Sequence, residues 1–407
     1  MRNRTPKRNL NPSRNRAIII LILLLAPLVA YCCFYKYSLT LKEASAHKSF
    51  ILTITSTMEN RNPKGKEWLI SDEEKTISLF MNNTWQTVYI LNTSHPINEI
   101  CIDENGNPIA SLSLPNKILC GENITYKVTY KIILKPRSLP AISENRSGKL
   151  SDIDRELKEE YCKAESPWQV NNEELRSLAF KIAGNETNVL LLLEKFIRWI
   201  REKIRYYHPE IPRYPNETVE YMSGDCDDQA NLLITFCRII GIPAYLQLGC
   251  IYIPQRDLER SYWEGHLMLR LTRIGWHGWA VVYVPPWGWL PVDLTYSSRS
   301  DPLSAIKEAA IITHWTVQYE NLTKNDYVAS SRRYREFLIS NNFRIYEHDV
   351  MIQEKSRKYG GIVPLIFTAF VYLSSIIKSP EKKANAYKMV YYFIISKFLM
   401  TEERSHG

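Results

Sequence analysis

In ITYKVTYKIIL, Ile124–Leu134, apolar and polar side chains alternate. Ile124, Tyr126, Val128, Tyr130 and Ile132 share one face, and Thr125, Lys127, Thr129 and Lys131 share the other. A period of two marks a half-buried strand. TISLFM, TWQTVYIL and EICIDENGNPI earlier in the chain have the same character, and ENGN at Glu104–Asn107 is a hairpin signal. Residues 48–137 are therefore expected to form a small antiparallel β-sandwich. The prolines, serines and charges of LKPRSLPAISENRSGK, and the acidic helix SDIDRELKEEYCK, make residues 138–165 a linker.

From residue 166 the period changes. Val189, Leu193, Phe196, Ile197, Ile200 and Ile204 recur at helical spacing, so one face of a helix is apolar. A second helix is expected to start at Cys226, run through LLITFCRII, and stop at Gly241 and Pro243. AYLQLGCIYI, GHLMLRLT, HGWAVVYV and GWLPVDLTY then read as strands, with PPWG as the turn between the last two. Residues 301–359 read as a helical extension, as in SAIKEAAIITHW and SSRRYREFLIS.

Two uncharged apolar runs stand outside these patterns. AIIILILLLAPLVAYCCF, within residues 17–35, follows six basic residues from Arg2 to Arg16, and GGIVPLIFTAFVYLSSII fills residues 360–377. Each is long enough to span a bilayer. The charge agrees. The chain of 407 residues carries +9, but residues 51–350 hold 34 Lys and Arg against 38 Asp and Glu, so the basic excess is terminal. Lys and Arg beside apolar runs mark the cytoplasmic side. The expected topology has residues 1–16 and a basic, aromatic tail at 378–407 in the cytoplasm, with the main domains extracytoplasmic. Seven N-x-S/T sites, at Asn82, Asn92, Asn123, Asn145, Asn185, Asn216 and Asn321, fall in the external part, and one, at Asn3, falls in the basic segment. Without a basic middle, nucleic acid is not an expected partner.

The chemistry centres on GDCDDQANLL, Gly224–Leu233. A cysteine at a helix N-terminus gains from unpaired N–H groups and the helix dipole, which favour a thiolate. The three neighbouring aspartates oppose it. Asp228 reads as a backbone-bonding residue, and Asp225 and Asp227 as solvated charges. Three carboxylates within four residues lack the spacing of a calcium loop, so no metal or cofactor is expected. A thiol nucleophile also needs a base and a group to orient it. Among the eight histidines, His277 opens the strand HGWAVVYV, and the hairpin turn near Pro285 brings Asp293 opposite or diagonal to it. An even register permits an imidazole–carboxylate pair on one sheet face, with the cysteine helix packed against that face, whereas an odd register puts the two residues on opposite faces. His266 is the rival base, and no aspartate follows it at comparable distance. Cys237 reads as a core thiol, and Cys101 and Cys120 are near enough in sequence to pair or to stay reduced.

GDCDDQANLLITFCRIIGIPAY resembles the nucleophile segment of the transglutaminase-like superfamily, and HGWAVVYVPPWGWLPVD resembles its His–Asp hairpin. The likeness covers residues 166–300. It implies a papain-like α+β core with a cysteine-bearing helix on an antiparallel sheet, Cys226 as nucleophile, His277 as general base and acid, and Asp293 as orienter. It also implies cysteine-dependent acyl transfer, as in a peptidase or amidase, with a protein, peptide or glycopeptide as substrate. The whole layout is similar to that of archaeal membrane-anchored proteins carrying this core. A catalytically silent binding module on the same fold is the alternative. The Cys226 amide is one expected oxyanion donor, with the second sought at Trp168 or Gln169.

Overall fold

The computed structural model describes residues 47–354 except 166, 299 and 300. The two apolar runs at 17–35 and 360–377 lie outside the described residues. Among the described residues no helix is long and apolar enough to cross a membrane.

The frame is one eight-stranded sheet. Its strands are β1 (Lys48–Asn60), β2 (Gln86–Thr93), β3 (Asn123–Leu134), β4 (Ala244–Tyr262), β5 (Leu267–Val284), β6 (Gly288–Val292), β7 (Thr316–Leu322) and β8 (Phe343–Gln353). The order is β7-β4-β5-β8-β1-β3-β2, with β6 on β5. All pairs are antiparallel except β5 with β8.

This arrangement corrects two expectations. Residues 48–137 do not form a separate sandwich. A second, three-stranded sheet (Thr76–Ser78, Ile97–Ile102, Pro108–Leu112) does cover β1–β3. Its Ile77, Ala110 and Leu112 share a core with Phe50, Leu52, Val128 and Tyr130. The larger sheet, however, runs on through β8 into the cysteine-bearing half. β8 pairs Phe50 with Gln353 on one side and Leu267 with Ile345 on the other. Nor do the described residues of the 301–359 segment form a helical extension, because β7 and β8 are strands and among those residues only Tyr327–Asn341 is a long helix. The face of β8 that looks inward holds Phe343, Ile345, Glu347, Asp349 and Met351. Two carboxylates stand where alternation calls for apolar side chains, and that hides the strand.

The other half of the core lies under helices α1 (Glu173–Ala183), α2 (Val189–Lys203) and α3 (Cys226–Ile239). Asn188 caps α2, its Oδ1 accepting from Leu191 N–H at 3.1 Å. The apolar stripe of α2 is buried from Val189 to Ile200, at roughly 1.5–3 kcal/mol per large side chain. It packs with Leu233, Phe236 and Cys237 of α3 on Ala280, Val282 and Val292 of the sheet. GHLMLRLT and HGWAVVYV are one 18-residue strand, β5, and with the 19-residue β4 they form a long hairpin that belongs to both halves of the core. Cys101 and Cys120 are free thiols, the second donating to the Asn62 carbonyl at 2.9 Å.

Candidate active site

Helix α3 starts against Gly224, where an added Cβ would lie 2.6 Å from the Asp228 Cβ. With no side chain in the way, Asp228 folds back under the helix start. It is fully buried, accepting at Oδ1 from Arg213 N–H (2.7 Å) and at Oδ2 from Asp225 N–H (3.2 Å). It ties backbone together at the N-terminus, as its position in the sequence suggests.

The helix does not pack on the face that carries His277. Side chains alternate along β5. Ala280, Val282 and Val284 belong to the core under α3, whereas Trp279 and Val281 point to the opposite side with Ala309 and Ile311. His277 is on that opposite side, its ring 5.9 Å from that of Trp279. Cys226 meets it around the strand edge instead. β6 ends at Val292, paired with Ala280, so β5 has no β6 partner beside Gly278. There the Gly278 N–H donates to the Cys226 sulfur. A Cβ on Gly278 would sit 3.1 Å from the Asp227 Cβ, so a glycine permits this close approach.

The hairpin register is shifted by two residues from direct opposition of His277 and Asp293. An even shift keeps both on one face, as a diagonal pair. His277 Nε2 lies 2.9 Å from Asp293 Oδ2, so Nδ1 is the ring nitrogen that this pair does not use, and His277 shares a cleft with Cys226. Asp293 is fully buried and also accepts from the N–H groups of Thr295 (3.2 Å), Tyr296 (3.0 Å) and Ala310 (3.0 Å). Burial alone would raise its pKa, but the His277 charge and these donors outweigh burial and hold it below the usual carboxylate range.

The thiol is pushed the other way. Burial, then Asp227, then Asp225 raise the Cys226 pKa well above that of an ordinary thiol, against the Gly278 N–H. Its S–H points at Asp227 Oδ1, 3.9 Å away. Neither aspartate is a solvated charge, contrary to the sequence reading. Asp225 is buried, with Oδ2 2.6 Å from His208 Nδ1, and His208 Nε2 lies 3.0 Å from the Tyr262 hydroxyl. Asp227 Oδ2 accepts from the Tyr327 hydroxyl at 2.6 Å. Removing the Asp227 charge removes a group that opposes the thiolate. Asp227→Asn is therefore expected to alkylate Cys226 several-fold faster at neutral pH than the parent, with Asn Oδ1 still accepting from Tyr327. Iodoacetamide kinetics read by mass spectrometry check this, and an unchanged or slower rate rejects it.

Ligand atoms of Asp225, Cys226 and Asp227 lie within 4.8 Å of one another, the one such group among the described residues. His208 and Tyr327 already occupy one oxygen of each carboxylate. The rival base His266 is far from this chemistry in its bonding: it is buried, with Nδ1 2.7 Å from the Phe343 carbonyl. Trp168 and Gln169 are also engaged elsewhere. Trp168 Nε1 donates to Asn231 Oδ1 (3.1 Å), and Gln169 Oε1 accepts from Asn216 N–H (3.0 Å). Cys237 is a fully buried core thiol.

Cys226 and His277 line a cleft of about 410 Å³ whose walls include Tyr206, His208, Arg256 and Tyr262. Sequence reasoning missed these four. The tract YYHP at Tyr206–Pro209 was the available signal for two of them, an aromatic and imidazole cluster just ahead of the nucleophile segment. The Tyr206 hydroxyl is held protonated, its pKa pushed up to about 12 by burial and by the nearby Cys226, Asp225 and Asp227, so it is a hydrogen-bond donor at neutral pH.

Residues 176–294 match the family model described as the transglutaminase-like superfamily. No curated protein matches the chain at a significant level. Among solved structures, a candidate cysteine protease from Cytophaga hutchinsonii is 16% identical, covering 77% of this chain and 92% of its own, with a TM-score of 0.49. The periplasmic domain of TgpA from Pseudomonas aeruginosa, bound to ethylmercury, is 14% identical over 64% of this chain and 93% of its own, with a TM-score of 0.31.

Proposed function

We propose that this chain is a membrane-anchored, extracytoplasmic acyl-transfer enzyme, a peptidase or amidase working through Cys226, His277 and Asp293. The observation that carries the reading is the meeting of three elements at one strand end. A buried carboxylate orients the imidazole of His277, and the helix-borne thiol is held against the very next residue by the Gly278 N–H.

The steps follow from these groups. As Sγ attacks an amide carbon, its proton passes to His277 Nδ1. The carbonyl oxygen becomes an oxyanion, for which the Cys226 N–H and the Tyr206 hydroxyl are the candidate donors. The C–N bond breaks, the nitrogen leaves with the proton from His277, and a thioester remains. Water, or an amine, then gives its proton to His277 and adds to the thioester carbon. Collapse expels Sγ, which regains the proton. With the thiol pKa raised by burial and the neighbouring aspartates, the proton moves to His277 as attack occurs, which is general-base catalysis. The anchoring rests on the two uncharged apolar runs and their basic flanks.

The high thiol pKa also favours a second reading, a silent binding module on the same fold. The two separate on one experiment. Peptide mixtures are incubated with the membrane-embedded chain and its Cys226→Ala variant, and new termini or deamidated residues are mapped by mass spectrometry. Products lost in Cys226→Ala support the enzyme. An identical product pattern from both proteins sinks it.

A further inference from the structure

The cleft has two electrical ends. Asp225 and Asp227 flank the thiol, while Arg256 and the exposed Arg260 lie on the wall formed by the β4–β5 hairpin. The Tyr206 hydroxyl is within electrostatic reach of both ends. The position of Arg256 is built, not incidental. The β4–β5 register breaks between Tyr252 and Asp257, leaving residues 253–256 out of the regular ladder. Such bulges re-aim a side chain. The guanidinium then lies on the backbone of Gly275, where an added Cβ would be 2.7 Å from Nη1 and 3.3 Å from Cζ. Gly275 and His277 are two residues apart on one strand, so they share a face and lie about 7 Å apart. Among the described residues Arg256 has no ion-pair partner, although it is only half-exposed. A half-exposed guanidinium without a counter-charge is open to an anionic partner. Beyond it, Leu258 and Leu271 pair across the hairpin, and Trp276 adds an apolar wall.

We propose that Arg256 is a specificity-determining residue that binds a carboxylate of the peptide substrate, about two residues from the reacting carbonyl, with an apolar side chain beside it. The spacing follows because an extended peptide advances about 3.3–3.6 Å per residue, so two residues span the His277–Gly275 distance. A planar guanidinium suits bidentate contact with a carboxylate. The carboxylate is that of an Asp or Glu side chain or of a chain terminus. This inference rests on the thiol-enzyme reading above, but its test separates the two.

The full chain in detergent is incubated with a degenerate peptide mixture, in one arm with free C-termini and in the other with amidated C-termini. Cleavage sites are profiled by mass spectrometry. The expected result is about tenfold enrichment of a carboxylate two positions from the cleaved bond, the gain of one charge-assisted contact. Enrichment of Asp and Glu in the amidated arm identifies a side chain, and enrichment only in the free arm identifies a terminus. Arg256→Gln is expected to bring the ratio to about one, Arg256→Lys to restore it in part, and Gly275→Ala, which crowds the guanidinium off its seat, to lower it. Cleavage without acidic enrichment, or enrichment that survives Arg256→Gln, overturns the proposal. Retention of peptides by Cys226→Ala is measured in parallel. If nothing is cleaved but Cys226→Ala still selects carboxylate-bearing peptides in an Arg256-dependent way, the chemistry fails and the recognition stands. If selection is absent there too, both fail.

Discussion

Replacing His277 with alanine is expected to slow turnover by at least about 10²-fold while leaving the chain folded. The size follows from the state of the thiol. With burial, Asp227 and Asp225 all raising its pKa, Cys226 carries its proton at neutral pH, and an acceptor must take that proton as the carbon–sulfur bond forms. Positioned proton transfer of this kind contributes typically 10²–10⁴-fold. His208 does not replace it, because both of its nitrogens are engaged, by Asp225 and by Tyr262. Asp293→Asn should cost a comparable factor for a different reason. It keeps the size of the side chain but removes the charge that supports an imidazolium and fixes which nitrogen faces the thiol. His277→Ala should leave a rate that rises only with thiolate formation at high pH, since the Cys226 pKa is raised by burial and by Asp227 and Asp225. Steady-state rates from pH 5 to 10 on a cleaved peptide decide it. A His277→Ala variant within a few fold of the parent would remove His277 from the chemistry.

Much of this site is legible in the sequence, because its parts are local. A helix start, a strand and a two-strand hairpin are each set by neighbouring residues, and an even register keeps His277 and Asp293 on one face whichever of two pairings forms. The side of the sheet on which α3 packs is not local. It depends on Ala280 and Val282 facing the helices while Trp279 and Val281 face away, and HGWAVVYV is apolar on both faces. A strand buried on both sides has no alternation to read. The partners of the aspartates were hidden for a similar reason. His208, Tyr262 and Tyr327 come from three distant segments, and no spacing rule links them to Asp225 or Asp227. The joining of the two halves through β8 is the longest-range feature of all, a parallel pair with β5 made by a strand whose inward carboxylates mask its period.

Those carboxylates predict an unusual pH dependence of stability. The midpoint of urea unfolding is expected to be highest near pH 4–5 and to fall steadily toward pH 9. Burial raises the pKa of Glu347 to about 8, against the hydrogen bond from Ser56 Oγ at 2.6 Å. Burial likewise raises Asp349 to about 6, against the donation from Trp276 Nε1 at 2.7 Å. Glu320 is pushed up to about 7 by burial and Asp103, and in the thiol cleft burial and neighbouring aspartates raise Asp228 to about 8. In the unfolded chain such groups release their protons near pH 4. Between that value and the folded pKa the native state binds more protons, so each step up in pH favours unfolding, by about 1.4 kcal/mol per pH unit for each proton involved. Below pH 4 the direction reverses, because Asp293 is held low in the fold and protonating it there costs stability. Glu347→Gln and Asp349→Asn imitate the protonated forms; the first should flatten the decline between pH 5 and 8, the second its early part up to about pH 6. A midpoint that rises over that range in the parent, or variants with the parent slope, would show that these buried carboxylates are ionised in the fold. The outcome bears on the cleft, since Asp349 holds the indole of Trp276, and Trp276 is part of the wall against which a substrate would lie.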